Sequence, residues 1–140
     1  MQVEVKQGTG FKTECRAGGH LIVIDQPLAA GGSNEGPTPL DVQLMALGAC
    51  IAAIGRIIAL QQRLPVRGFN IFVEGELDTD RALGKSAGKR AGFSAIVARV
   101  KLDADLPPSE QEKLLREIEA RCPVSDNLKN GTSVNIFLAS

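Results

Sequence analysis

A long run with almost no charge is the feature that most constrains the fold of this chain. Residues 42–60 contain only two clearly polar side chains, Gln43 and Arg56, and the run approaches the roughly 20 residues that cross a membrane. Because Arg56 lies inside the run and Ala and Gly dilute its hydrophobicity, we expect a buried helix and no membrane contact. A chain of 140 residues can hardly surround one helix, so we infer that a second subunit covers part of it.

Length and charge bound the class of protein. A chain of this length fits one domain, residues 1–140, which can bury a core without disulfide bonds. Sixteen basic and sixteen acidic residues cancel, which gives no electrostatic case for binding nucleic acid or an anionic membrane. The first residues lack the apolar segment of a signal peptide, so the simplest compartment is the cytoplasm.

The cysteine and histidine counts exclude several kinds of site. Three cysteines without a CxxC spacing argue against a secreted disulfide framework and against a zinc ribbon. A single histidine makes a histidine-rich metal site unexpected. The sequence therefore suggests neither a metal nor an organic cofactor.

The side-chain pattern predicts an α+β fold. Strands are expected at residues 2–6, 11–17, 20–25, 69–77, 93–102 and 133–138, with helices at 38–62 and 107–122. Gly18 and Gly19 indicate a hairpin, residues 29–36 a flexible loop, and residues 79–92 a long mobile loop. The triplet at 84–86 mimics the end of a P-loop but lacks its earlier glycine, so no phosphate site is expected.

Both predicted helices carry start signals. Thr38 and Asp41 match a capping box, as do Ser109 and Glu112, and Pro39 suits the first helical position. One face of the second helix is predicted to point to the core, and it consists of Leu114, Leu115, Ile118 and Cys122.

Two cysteines in helix-like settings are the main candidates for chemistry. Cys50 lies inside the apolar run, and Cys122 ends the second helix just before Pro123. If the fold joins these residues, separated by 72 positions, the chain has a peroxide-reactive thiol and a second thiol to resolve it. The alternative is that both are small core residues, which is how most free cysteines behave.

Other candidates have simpler interpretations. Cys15 fits a structural strand residue, His20 a strand-edge residue, and Asp41 a helix cap better than an acid–base group. Mid-helix Cys50 would need a nearby cation to lower its pKa. Arg56 lies mostly round the helix, so Arg16, Arg63 or a residue of another subunit would have to supply the charge.

Two segments resemble the sequence motifs of the OsmC/Ohr family. The order of the predicted elements also matches that family, so the resemblance covers nearly the whole chain. The first is Gly36-Pro37-Thr38-Pro39-Leu40-Asp41 followed by Leu44-Met45-Ala46-Leu47-Gly48-Ala49-Cys50, and the second is Ala120-Arg121-Cys122-Pro123-Val124-Ser125. The resemblance implies an OsmC-like fold, with two antiparallel sheets around long central helices in an intertwined homodimer. It also implies active sites at the subunit interface.

The family's characterised members reduce organic hydroperoxides with cysteine. The resemblance implies that Cys50 is the peroxidatic thiol, that Cys122 is the resolving thiol, and that a dithiol such as a lipoyl group is the reductant. Leu40 stands where these peroxidases have a glutamate, with Asp41 one place later, and their early arginine is missing here. Arg16 is the candidate replacement for that arginine, and Asp41 is the candidate catalytic carboxylate. These departures favour the alternative of a small-molecule-binding or stress-related protein without efficient peroxidase activity; a purely structural core is the third interpretation.

Overall fold

The computed structural model describes residues 1–139 and confirms the α+β class. Five strands and three helices follow one another in the order β1 (Glu4–Gln7), β2 (Thr13–Ala17), β3 (His20–Ile24), α1 (Pro39–Gln62), β4 (Val66–Glu76), β5 (Ala95–Ala104), α2 (Pro108–Arg121) and α3 (Pro123–Asn130). The chain divides into two compact units, residues 1–45 and 46–140, and the boundary falls inside α1. The single domain expected from the sequence stays a prediction.

The first unit is built on an antiparallel sheet in the order β1-β2-β3. The β2–β3 hairpin turns at Gly18 and Gly19, as predicted, and Gly18 has the positive φ that favours glycine. Val5, Cys15 and Ile22 are cross-strand neighbours on one face, whereas Glu4 and Arg16 lie on the other. The sheet therefore has one largely apolar face and one largely charged face.

The loop after β3 is more ordered than its glycine-rich composition suggests. Asp25 is only 1% exposed, and its carboxylate accepts hydrogen bonds from the backbone N–H groups of Gln26, Ser33 and Glu35. A single turn of 3-10 helix, Leu28–Ala30, lies inside this loop. One buried carboxylate therefore gathers three backbone donors that the sequence left unassigned.

Helix α1 begins and ends where the sequence predicts. Asp41 Oδ2 accepts hydrogen bonds from the Thr38 N–H and hydroxyl, at 2.9 and 2.7 Å, and the Asp41 N–H donates to Thr38 Oγ1. This reciprocal pattern confirms the first capping box. At the other end Arg63 adopts a left-handed conformation, and Pro65 follows. By length and composition alone α1 could cross a membrane, and only 22% of its most apolar window is buried within the chain.

The second unit contains the β4–β5 antiparallel pair and the hydrophobic core. Ile58 and Ala59 of α1 pack with Val66 of β4 and with Leu114 and Ile118 of α2. The predicted loop at 79–92 is confirmed, since residues 77–94 form no helix or strand. It is tethered where the Lys89 ammonium pairs with two exposed carboxylates, those of Asp78 and Asp80.

Three predictions about the C-terminal part are wrong or incomplete. Helix α2 begins at Pro108 after Pro107, without a side-chain cap, so Ser109 lies inside the helix and its capping box with Glu112 is absent. Helix α3 was not predicted. The strand expected at 133–138 does not form in the described chain, where no neighbouring strand pairs with it and its side chains are exposed.

Replacing Asp25 with asparagine is expected to destabilise the protein in a pH-dependent way. Burial works to raise the pKa of Asp25, but the three N–H donors outweigh it and lower the pKa below its usual value. The stabilisation is therefore complete above the unfolded pKa of about 3.9 and is lost as the pH falls through the lower folded value. Urea unfolding should give a lower midpoint for Asp25→Asn at neutral pH, and this difference should shrink in acid.

The matched control is Glu110→Gln, which removes an exposed carboxylate from the first turn of α2. Its midpoint should stay close to that of the unmodified protein at both pH values. Equal midpoints for Asp25→Asn and Glu110→Gln at neutral pH would contradict the anchoring role of Asp25.

Candidate functional site: the Cys50–Cys122 thiol pair

Cys50 lies on α1 where the helix approaches β4 closely. Two residues earlier, a Cβ added to Gly48 would lie 3.3 Å from Val73 Cγ2 and 3.8 Å from Ile71 Cγ2. Ile54, one turn after Cys50, packs against the core, and the thiol itself is half-buried. Cys50 is therefore at the border between an apolar interior and the surface.

Cys122 occupies the joint between two helices. It is the C-cap of α2 and the N-cap of α3, and its backbone is extended, at φ −78° and ψ 109°. Its side chain is only 1% exposed, which confirms the predicted core-facing direction. Its Sγ accepts a hydrogen bond from the Ser125 N–H at 3.5 Å, so this thiol caps α3.

The fold brings the two thiols together within the second unit. Burial is the main cause that raises the pKa of Cys122, and the hydrogen bond and charge of Cys50 raise it further. The backbone N–H groups of Ser125 and Val124 act in the opposite direction and lower it. Cys50 is therefore near enough to act on the Cys122 thiol, and both cysteines are free. Their pairing in a disulfide and their catalytic roles stay predictions.

The arginine closest to Cys50 in sequence is committed elsewhere. Arg56 donates to the carbonyl oxygens of Val66 and Arg67 at 2.7 and 2.8 Å. Its guanidinium also lies 5.8 Å from the centre of the Phe69 ring, where a cation–π attraction is favourable. Arg56 therefore ties α1 to β4, as its place round the helix suggested.

Arg16 and Asp41, the two other predicted site residues, belong to the first unit. Arg16 lies on the charged face of its sheet and pairs with exposed Glu14 at 3.5 Å. The hydroxyl and N–H of Thr38 hold the pKa of Asp41 below its usual value. Asp41 thus has a clear structural task, and the catalytic roles of both residues stay predictions.

The remaining candidates have ordinary surroundings. Cys15 is half-buried, and its Sγ lies 3.9 Å from Thr13 Oγ1. His20 is exposed at the start of β3, opposite Ala17. Within residues 1–139, no group of three or more His, Cys, Asp or Glu side chains is arranged to hold a metal ion.

Sequence reasoning missed the backbone donors at the start of α3. The signals were present: Pro123 suits the first helical position, Asp126 lies in the first turn, and Gly131 follows the last residue. Cys is an uncommon N-cap residue. The Cys122-Pro123 sequence was therefore interpreted only as the end of α2, although it is also the start of α3. The N–H of Ser125 is therefore a part of the site that only the structure identifies.

Solved structures share this fold. An OsmC-like protein from Mycoplasma pneumoniae matches with a TM-score of 0.81 and 17% identity over 93% of this chain and 87% of its own. An organic hydroperoxide resistance protein OsmC from Legionella pneumophila matches with a TM-score of 0.69 and 19% identity over 91% and 88%. The organic hydroperoxide resistance protein OhrB of Bacillus subtilis matches with a TM-score of 0.65 and 20% identity over 93% and 90%.

The fold is thus the one shared by OsmC-like and Ohr proteins. The family model for OsmC-like proteins matches residues 32–137, which include both cysteines of the pair. This chain belongs to that family, and the resemblance seen in its motifs is confirmed. No match was found among curated proteins.

In the reduced protein, Cys122 is expected to react with iodoacetamide at least about tenfold more slowly than Cys50. Cys122 is buried and its raised pKa leaves less thiolate at neutral pH, whereas Cys50 is half-buried. Timed alkylation followed by peptide mass mapping gives both rates. In concentrated urea the rates should converge, and equal rates in the folded protein would contradict the assigned burial of Cys122.

Proposed function

We propose that this protein is a thiol-dependent peroxidase that reduces organic hydroperoxides with Cys50 and Cys122. The carrying observation is that the fold places a half-buried Cys50 near a buried Cys122, although the two come from positions far apart in the sequence. Family membership supports the same reaction, because relatives with this fold are named for organic hydroperoxide resistance. At this low sequence identity the structural matches establish only the shared fold. The shared activity is part of the proposal.

The proposed cycle has three steps. The Cys50 thiolate attacks the distal oxygen of the hydroperoxide, the O–O bond breaks, and the alkoxide takes a proton and leaves as an alcohol. Cys50 is then a sulfenic acid. The Cys122 sulfur attacks the Cys50 sulfur, water leaves, and a disulfide forms. An external dithiol restores both thiols by exchange, and a lipoyl group is a candidate for this role.

The surroundings of Cys50 favour an apolar substrate. Ile51 and Ile54 neighbour Cys50 along α1 and pack against the core, and Gly48, two residues before Cys50, lies close to Val73 and Ile71 of β4. An apolar border of this kind retains an alkyl chain better than it retains hydrogen peroxide. We therefore assign fatty or bulky alkyl hydroperoxides as the substrate class.

A homodimer is part of the proposal. One line of α1 faces away from the core of the second unit; we call it the exposed stripe, and it consists of Ala49, Ala53, Ile57 and Leu60. Leu60 is 70% exposed and Phe137 of the unpaired C-terminal segment is 86% exposed. Contiguous apolar surface of this kind is typical of an obligate interface. A second copy would cover the stripe and offer a strand partner to residues 133–138.

A second candidate function is a binding module for a small apolar or thiol compound. The observation that favours it is the engagement of Arg56 by two carbonyl groups, which keeps the nearest arginine in sequence away from activating Cys50. Leu40 in place of the family's glutamate supports the same view. Such a protein would have ordinary thiol reactivity and would gain thermal stability from its ligand.

One equivalent of cumene hydroperoxide is expected to convert the reduced protein into the Cys50–Cys122 disulfide. Intact mass should fall by the mass of two hydrogen atoms, about 2 Da, and peptide mapping should assign the bond. Cys122→Ser should stop at a sulfenic acid on Cys50 that dimedone traps, while Cys50→Ser should consume no hydroperoxide.

The control for this experiment is Cys15→Ser, which should form the disulfide as the unmodified protein does. If Cys50 and Cys122 both stay free thiols after treatment with cumene hydroperoxide, the peroxidase proposal is overturned. Thermal stabilisation by small apolar or thiol compounds would then support the binding module.

Size-exclusion chromatography with light scattering is expected to give twice the chain mass at micromolar concentration. Ala53→Asp, which places a charge on the exposed stripe, should dissociate or unfold the dimer because an unpaired carboxylate would be buried there. Ala120→Asp, at an exposed position of α2, is the matched control and should leave the mass unchanged. A monomeric unmodified protein would contradict the homodimer.

A further inference from the structure

We propose that the start of α3 makes Cys122 the leaving sulfur when the disulfide is reduced, so that the incoming thiol bonds to Cys50. The backbone N–H of Ser125 is the group assigned to stabilise the emerging Cys122 thiolate. This inference rests on the proposed function, because it concerns the reductive half of the same cycle. It assigns a chemical task to a helix that the sequence did not predict.

The first observation is the geometry at the helix joint. The Ser125 N–H points at Cys122 Sγ across 3.5 Å, while Pro123 at the first helical position has no N–H to offer. A hydrogen bond of this kind is weak to a neutral sulfur and becomes much stronger when the sulfur carries a charge. The donor therefore stabilises the thiolate product more than the disulfide.

The second observation is the difference in access to the two sulfurs. Attack on a disulfide proceeds along the S–S axis, opposite the leaving sulfur. An incoming thiol can hardly reach Cys122 Sγ, because Cys122 is only 1% exposed. Cys50 is half-buried at the edge of the core and is easier to reach. The open direction of approach is therefore toward Cys50, and Cys122 becomes the leaving sulfur.

Burial alone would make Cys122 a poor leaving group. Burial raises the pKa of Cys122, and only the N–H groups of Ser125 and Val124 lower it. The charge and hydrogen bond of Cys50 also raise the pKa in the reduced protein, but Cys50 is neutral while it carries a mixed disulfide. In that state the N–H groups of Ser125 and Val124 still lower the pKa of Cys122, and the charge of Cys50 no longer raises it.

Contacts around the joint hold the donor in place. The Asp126 N–H donates to the Cys122 carbonyl oxygen at 3.0 Å, and Lys129 near the end of α3 pairs with Glu119 of α2. These contacts fix the start of α3, so the Ser125 N–H stays directed at Cys122 Sγ.

The step balances with a thiol as the named reductant. A thiolate RS⁻ bonds to Cys50 Sγ, the S–S bond breaks, and its electron pair stays on Cys122 as a thiolate. A second thiol then attacks the R sulfur and releases the Cys50 thiolate, giving an RS–SR disulfide. Two electrons pass from the two thiols to the protein, and both cysteines return to their reduced state.

The site of attack can be read directly. The Cys15→Ser protein is oxidised with cumene hydroperoxide, mixed with 2-mercaptoethanol for a short time, and quenched with N-ethylmaleimide. Peptide mapping should find mercaptoethanol on Cys50 and maleimide on Cys122, in at least about tenfold excess over the reverse pattern. The reverse pattern, or an even mixture, would overturn the proposal.

A pair of variants at one position separates the N–H from the side chain. In the Cys15→Ser background, Ser125→Pro removes the N–H and should slow the attack of 2-mercaptoethanol about tenfold, because a hydrogen bond to a charged group is lost. Ser125→Ala keeps the N–H and should react at the unmodified rate. Equal rates for the two variants, with unchanged circular dichroism, would contradict the assigned role of Ser125; if Ser125→Pro does not fold, the mapping of the attack site decides.

Failure of this inference can be told apart from failure of the proposed function. If cumene hydroperoxide leaves the thiols free but diamide forms the disulfide, the peroxidase proposal fails and the same mapping still tests the direction of attack. If neither oxidant joins Cys50 to Cys122, both proposals are overturned.

Discussion

The close packing of α1 against β4 and α2 is the constraint on which the second unit depends. A Cβ on Gly55 would lie 2.5 Å from Phe69 Cζ and 3.0 Å from Ile118 Cδ1, so only glycine allows this approach. Cys50 lies one and two turns before Ile54 and Ile58, and Cys122 lies one turn after Ile118. The core that joins the two helices therefore also joins the two thiols.

Local signals predicted the parts of the fold that depend on neighbouring residues. The capping box of Thr38 and Asp41 and the break at Pro65 set the limits of α1, because hydrogen bonds and backbone sterics act within a few residues. The core-facing direction of Cys122 followed from its spacing to Leu114 and Ile118. The contact between Cys50 and Cys122 could only be hypothesised, since no local rule fixes a meeting across so long a stretch of chain.

The misses have equally physical causes. The β propensity of residues 133–138 is real, but a strand also needs a neighbour to pair with, and the described chain offers none. The loop after β3 looked flexible because composition does not reveal that one buried carboxylate, Asp25, collects three N–H donors. Residues 123–130 carry helix signals, but Pro123 was interpreted as the end of the preceding helix and not as the first residue of a new one.

The pair divides the requirements of thiol chemistry between two positions. Cys50 has accessibility but lies in the middle of a helix, where no free N–H group can stabilise its charge. Cys122 has the N–H donors of a helix start but is buried. A thiolate needs both access and stabilisation to react in each direction of a redox cycle. Because each sulfur supplies what the other lacks, the contact between them, and not either cysteine alone, is the unit on which the proposed chemistry acts.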